Sequence, residues 1–214
     1  MTSGLSSLFT APSAFFAAHE ENPGRIGPVV VVALTGAITL AAQLLLVSMS
    51  VIGRQPTIEY VTHTVQIQLP ALSVAGAAFS FGHVFGYWIA YSLLFSFVSG
   101  LFSSNGDFRT VFWLSGWGFL PWALGGVFWL GAMIVSANST SAPMMAAGNE
   151  AFIRQVQAAT IVRVTQYLDH IAVIWSLGLW TVLIKKIREV ETWQAIAAVI
   201  PVAVFEFGKV LFLF

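Results

Sequence analysis

Five ionisable side chains lie in stretches that are otherwise apolar: His83, Asp169, His170, Glu206 and Lys209. In hydrocarbon such groups are costly unless paired or hydrated, so each needs a reason. Glu206 and Lys209 are three residues apart and share one helix face, while Asp169 and His170 are adjacent, following Arg163 and Gln166. Two carboxyls, two imidazoles and an amine could fasten helices by pairing, or line a hydrated cavity for a proton, a cation or a lipid headgroup. They could also ligate a metal, but two of the donors are adjacent and no recognised metal spacing is present, so no metal is expected. There is no GxSxG, HExxH, phosphate-cradling glycine loop or pair of aspartates within an apolar stretch. The chain has no cysteine, which removes disulfides, thiolate sites and cysteine nucleophiles. The expectation is a protein that is not an enzyme and carries no cofactor.

The elements that hold these groups are written in the composition. Hydrophobic residues make up 57% of the 214 and charged residues 8%, against roughly 45–50% and 25% in soluble domains. That charge cannot cover a water-facing surface, so the chain's solvent is mostly lipid. The expected fold is all-α: a polytopic bundle of about five transmembrane helices with an N-terminal interfacial helix. A span needs about 20 apolar residues. The candidates are Pro28 to Ile52, Ala71 to Phe102, Thr110 to Val135, Val164 to Ile184 and Trp193 to Phe214. Residues 28–214 form the transmembrane domain. Residues 1–27, with Leu5, Leu8, Phe9, Phe15 and Phe16 ahead of His19, Glu20 and Glu21, read as an amphipathic interfacial segment. Zero net charge gives no electrostatic case for nucleic acid.

Two connections are long. Val61, His63, Val65, Ile67 and Leu69 alternate with polar residues, a period of two that predicts extended chain. Asn138 to Gln157 is expected to be a loop ending in a short helix, and it begins with the sequon Asn138-Ser139-Thr140. Arg25, Arg109, Lys185, Lys186 and Arg188 fall on one side of this topology, and Arg54, Arg154 and Arg163 on the other, with Lys209 near the end of the last helix. The bias places the N-terminus in the cytoplasm and the C-terminus outside, in the cell membrane.

Depth follows from the short turn near Arg188 and Glu189. Counting outward at 1.5 Å per residue brings Asp169 level with Lys209 and His170 level with Glu206, in the outer half of the bilayer. The expected pairs are Asp169 with Lys209 and His170 with Glu206. Gly82 and Gly86 form a GxxxG step, which predicts close helix packing within the chain or, alternatively, a homodimer. Pro121 should kink the third span, and the tryptophans should serve as anchors or packing residues.

The third span also carries a resemblance. Gly106-Asp107-Phe108-Arg109-Thr110, then Gly116-Trp117-Gly118 and Leu120-Pro121, resembles the Yip-domain family, the Ypt/Rab-interacting membrane proteins, in its prokaryotic form. Leu8-Phe9-Thr10-Ala11-Pro12 through Phe15-Phe16 to Asn22-Pro23 looks like the lead segment of such members. Trp175, Gly178, the Lys185 to Glu191 turn and Pro201 resemble their closing hairpin. The resemblance implies a five-helix fold with a cytoplasmic N-terminus, and relatives linked to vesicle trafficking, Rab-type GTPases and membrane shaping. The long N-terminal region with its acidic Asp-Leu-Tyr-Gly-Pro-like motif is absent, which weighs against a GTPase partner. No catalytic residue carries over.

Two functions follow. The first is a non-enzymatic scaffold for membrane organisation or partner binding, in contact with lipid and with a homodimer mate or another membrane protein. The second is a small transporter or channel-like protein using the polar cluster. A dry, paired cluster would favour the first, and a water-accessible cavity the second.

Overall fold

A computed structural model of the chain describes residues 5–52, 71–103, 105–139, 154–156 and 158–212. The extended segment expected at 61–69, and most of the loop after Asn138, lie outside them. Among the described residues there are helices and no strand. They are α1 (Leu5–Thr10), α2 (Pro12–His19), α3 (Ile26–Ile52), α4 (Ala71–Gly100), α5 (Phe108–Ser115), a 3₁₀ turn (Gly116–Phe119), α6 (Leu120–Ser139), α7 (Thr160–Arg188) and α8 (Thr192–Phe212).

Four stretches are long and apolar enough to cross a membrane: Ile26–Leu45, Ala78–Gly100, Phe108–Ser136 and Thr160–Arg188. Thr192–Gly208 is a shorter apolar helix. Their outer faces carry large apolar side chains, with Phe79 73%, Phe97 71% and Val204 67% exposed. Water would not tolerate that surface, and acyl chains would. The chain is a multi-pass membrane protein.

The third span is one membrane-length stretch with a change of helical pitch inside it. Asp107 caps α5 by accepting the Thr110 N–H at 2.8 Å. The helix then tightens into the 3₁₀ turn before α6 starts. Pro121 is the second residue of α6, in the first turn, where a missing N–H costs nothing. α3 packs on α4, α6 on α7, and α8 against both α7 and α4. Glycines allow the tightest approaches. Gly116 lies against Pro28, Gly126 against Ile38 and Gly36 against Phe81. Gly82 and Gly86 do not serve this purpose: a Cβ on either would meet nothing within 4 Å.

The N-terminal segment folds as two short helices, and its largest apolar side chains enter the bundle's own core. Leu8, Phe15 and Phe16 are buried with residues of α3 to α8. Phe9 meets Trp175 at 5.0 Å, Phe15 meets Trp117 at 5.3 Å, and Glu20 lies 4.0 Å from Lys186. Trp175 and Lys186 are separated by about 16 Å of helix rise. α1 and α2 therefore run alongside α7 over that depth.

Candidate functional site

One face of α4 carries His83, Tyr87 and Tyr91 at four-residue spacing, which stacks them along the helix. The His83 ring lies 5.9 Å from Phe79 and meets Tyr87 edge-on at 5.1 Å, with Nδ1 3.3 Å from the Phe79 carbonyl. Tyr87 and Tyr91 are parallel, 5.6 Å apart. Tyr91 is 3% exposed, and its hydroxyl donates to Oε1 of Glu206 on α8, itself 6% exposed. Phe205 closes on both tyrosines edge-on. Phe95, Phe119, Trp122 and Trp180 surround the Tyr91 ring. A carboxyl in so apolar a setting needs a strong donor, and the phenol supplies one.

A second polar node sits beside it. The Trp88 indole N–H donates to the Phe112 carbonyl at 2.8 Å and approaches Ser115 Oγ at 3.1 Å. The hydroxyls of Ser92 and Ser115 are 2.8 Å apart, and Trp180 donates to the Ser115 carbonyl at 2.8 Å. The 3₁₀ turn in the third span explains this arrangement. Carbonyls near the α5 terminus need partners that water cannot provide in lipid, and two indoles provide them. Gly118 makes room, because a Cβ there would overlap the Trp180 ring. Trp117 in turn lies on Gly27.

Asp169 occupies a different seam. It lies on α7 against α6, where a Cβ on Gly125 would come within 2.8 Å of Oδ1. His170 is half-buried beside it. Lys209 belongs to α8, and its side chain lies outside the described residues, as does the Asp169–Lys209 pair expected from depth. The structure joins His83 to Glu206 through Tyr87 and Tyr91. Sequence reasoning named neither tyrosine. Their four-residue register with His83 was the available signal.

At the opposite end of the bundle the Gly106-Asp107 stretch ties two turns together. Arg188, 7% exposed, donates through Nη1 to the carbonyls of Asn105 at 2.9 Å and Gly106 at 2.5 Å. Asn105 donates to Glu189 Oε2 at 2.8 Å. Gly106 has φ +69° and its Cα lies against Ile187, a position that excludes a side chain on both counts. The hydrogen bond from Thr110 holds the Asp107 carboxyl below the usual carboxylate range.

The residues of the motif thus have distinct mechanical tasks: Gly106 turns, Asp107 caps, Gly116 and Gly118 seat Pro28 and Trp180, and Pro121 restarts the helix. Neither a characterised protein nor a solved structure matches the chain significantly. The profile of the Yip1 domain matches residues 6–212, nearly the whole length, and the chain belongs to the Yip1-domain family.

Proposed function

We propose that this protein is a non-enzymatic scaffold of the cell membrane that organises membrane or holds a membrane-protein partner, as the prokaryotic-type Yip resemblance implies. The observation that carries the reading is the Tyr91–Glu206 contact. Glu206 is buried, accepts a phenol hydroxyl and lies beside aromatic side chains, which suits a fastening between α4 and α8. Trafficking-type relatives make a GTPase one class of partner, and the large apolar side chains on the outer faces of the spans favour another membrane protein. Arg25, Arg109, Lys185, Lys186 and Arg188 gather at one end of the fold, which supports a cytoplasmic N-terminus and an external C-terminus.

The cysteine-free chain allows a direct test. Tyr87→Cys and Glu206→Cys, each reconstituted in lipid, are exposed to a membrane-impermeant thiol reagent from both sides. A scaffold leaves both thiols unlabelled until the protein is denatured. Labelling of either in the folded protein would instead identify a hydrated path, and with it the transporter reading.

A further inference from the structure

The basic side chains at the Arg188 end of the bundle are not equivalent. Lys186 lies 4.0 Å from Glu20, Lys185 donates to the Thr192 hydroxyl at 2.8 Å, and Arg188 is buried on the Asn105 and Gly106 carbonyls. Arg25 and Arg109 are exposed, and among the described residues no carboxylate comes within 4.0 Å of either. What Arg25 has instead is an aromatic face: its guanidinium carbon stands 5.8 Å from the centre of the Trp113 ring. Trp88 and Phe112 meet that ring edge-on, which fixes it as a platform. Arg109 lies one turn before Trp113 on α5 and shares its face of the helix. Two guanidinium-bearing residues from different segments thus flank one indole. Stacking occupies a face of the Arg25 guanidinium and leaves its N–H edge for a ligand. Arg25 also stands at the head of an apolar strip. Ile26, Val30 and Leu34 follow at one-turn spacing on α3 and are 80%, 56% and 49% exposed, over about 12 Å of rise.

We propose that Arg25 and Arg109 hold the phosphate of one anionic phospholipid beside Trp113, with an acyl chain lying along Ile26, Val30 and Leu34. Guanidinium forks match the oxygens of a phosphate, and charge-assisted bonds of this kind are the strong ones. The lipid must be anionic, because the amine of a zwitterionic headgroup cancels its phosphate and leaves two arginines without a counter-charge. A soluble phosphate would supply the charge and leave the apolar strip unused. General attraction to an anionic surface would treat the four exposed basic side chains, Arg25, Arg109, Lys185 and Lys186, alike. The geometry singles out two of them. This inference goes beyond the scaffold reading and does not rest on it, since a transporter could hold the same lipid.

Native mass spectrometry of the full chain in detergent micelles tests it, with phosphatidylglycerol and phosphatidylcholine of the same acyl chains supplied at equal mole fraction. The protein should retain one phosphatidylglycerol at several-fold higher occupancy than phosphatidylcholine. Arg25→Gln with Arg109→Gln should abolish that preference, and Lys185→Gln with Lys186→Gln, which removes the same charge from the same end, should keep it. Arg25→Lys, which keeps the charge and loses the fork, should weaken the preference less than Arg25→Gln. Near-ultraviolet circular dichroism confirms that each variant is folded. Thermal unfolding supplies a second reading: phosphatidylglycerol should raise the midpoint of the unaltered protein, and inorganic phosphate should not. A preference that survives in folded Arg25→Gln/Arg109→Gln, or that falls equally in the lysine pair, would overturn the site. Stabilisation by inorganic phosphate equal to that by the lipid would overturn the lipid assignment.

Discussion

A single residue can be indispensable here for reasons that its type does not announce. Asp107 is a surface carboxylate whose task is to accept the Thr110 N–H at the start of α5. Asp107→Ala should cost about 1 kcal/mol of stability, read as a lower unfolding midpoint in detergent. The sign of its pH dependence follows from its lowered titration point. The cap contributes fully above the ordinary carboxylate value and is lost as pH falls through the folded one, so Asp107→Asn should remove that acid sensitivity. Glycines divide in the same way. Gly118→Ala drives a methyl into Trp180 and should destabilise by about 1–3 kcal/mol. Gly82→Ala meets open space and should be neutral or stabilising by up to about 1 kcal/mol, since alanine is the better helix former. Thermal unfolding of the two variants side by side checks the contrast. Sequence spacing singled out both glycines but could not tell them apart, because a small residue looks the same whether a neighbour sits on it or not.

At the scale of elements, the spans were legible and the breaks were not. Unbroken apolar runs placed α3, α4, α7 and α8 within a few residues of their ends, since hydrocarbon leaves the backbone little choice but helix. The third span also read as one run with a kink at Pro121, and it is one membrane-length stretch in which a 3₁₀ turn separates α5 from α6. What decides this is the tertiary pairing of Trp88 and Trp180 with carbonyls at the break, and no local periodicity encodes that. The same limit applies to the charged cluster. Depth counting matched Glu206 with His170; the structure adds a contact across the seam from α4, where Glu206 accepts the Tyr91 hydroxyl. Spacing gives depth along a helix; the rotation of each helix comes from packing. Asp169→Asn should destabilise the bundle, and adding Lys209→Met should recover part of the loss if the two are paired. Additive losses in that cycle would assign Asp169 to Gly125 and its own seam.

For the whole molecule, the N-terminal helices belong to the core. Leu8 and Phe16 have no exposed surface and Phe15 only 2%. Burying three such side chains contributes about 1.5–3 kcal/mol each. Deleting residues 1–22 should therefore lower the unfolding midpoint and expose Trp117 and Trp175 to a lipid-soluble quencher. Unchanged stability would show the segment to be peripheral. The same core brings the long-range account to one point, the claim that the buried acid joins α4 to α8. A double-mutant cycle of Tyr91→Phe and Glu206→Leu, read by equilibrium unfolding in mixed micelles, tests this most directly. The account predicts that Tyr91→Phe alone removes a buried hydrogen bond to the carboxyl and costs about 1–3 kcal/mol. Removing both partners should restore part of that loss, with a coupling of about 1 kcal/mol or more. Strictly additive losses would contradict it, and would mean that Tyr91 and Glu206 are held in place independently.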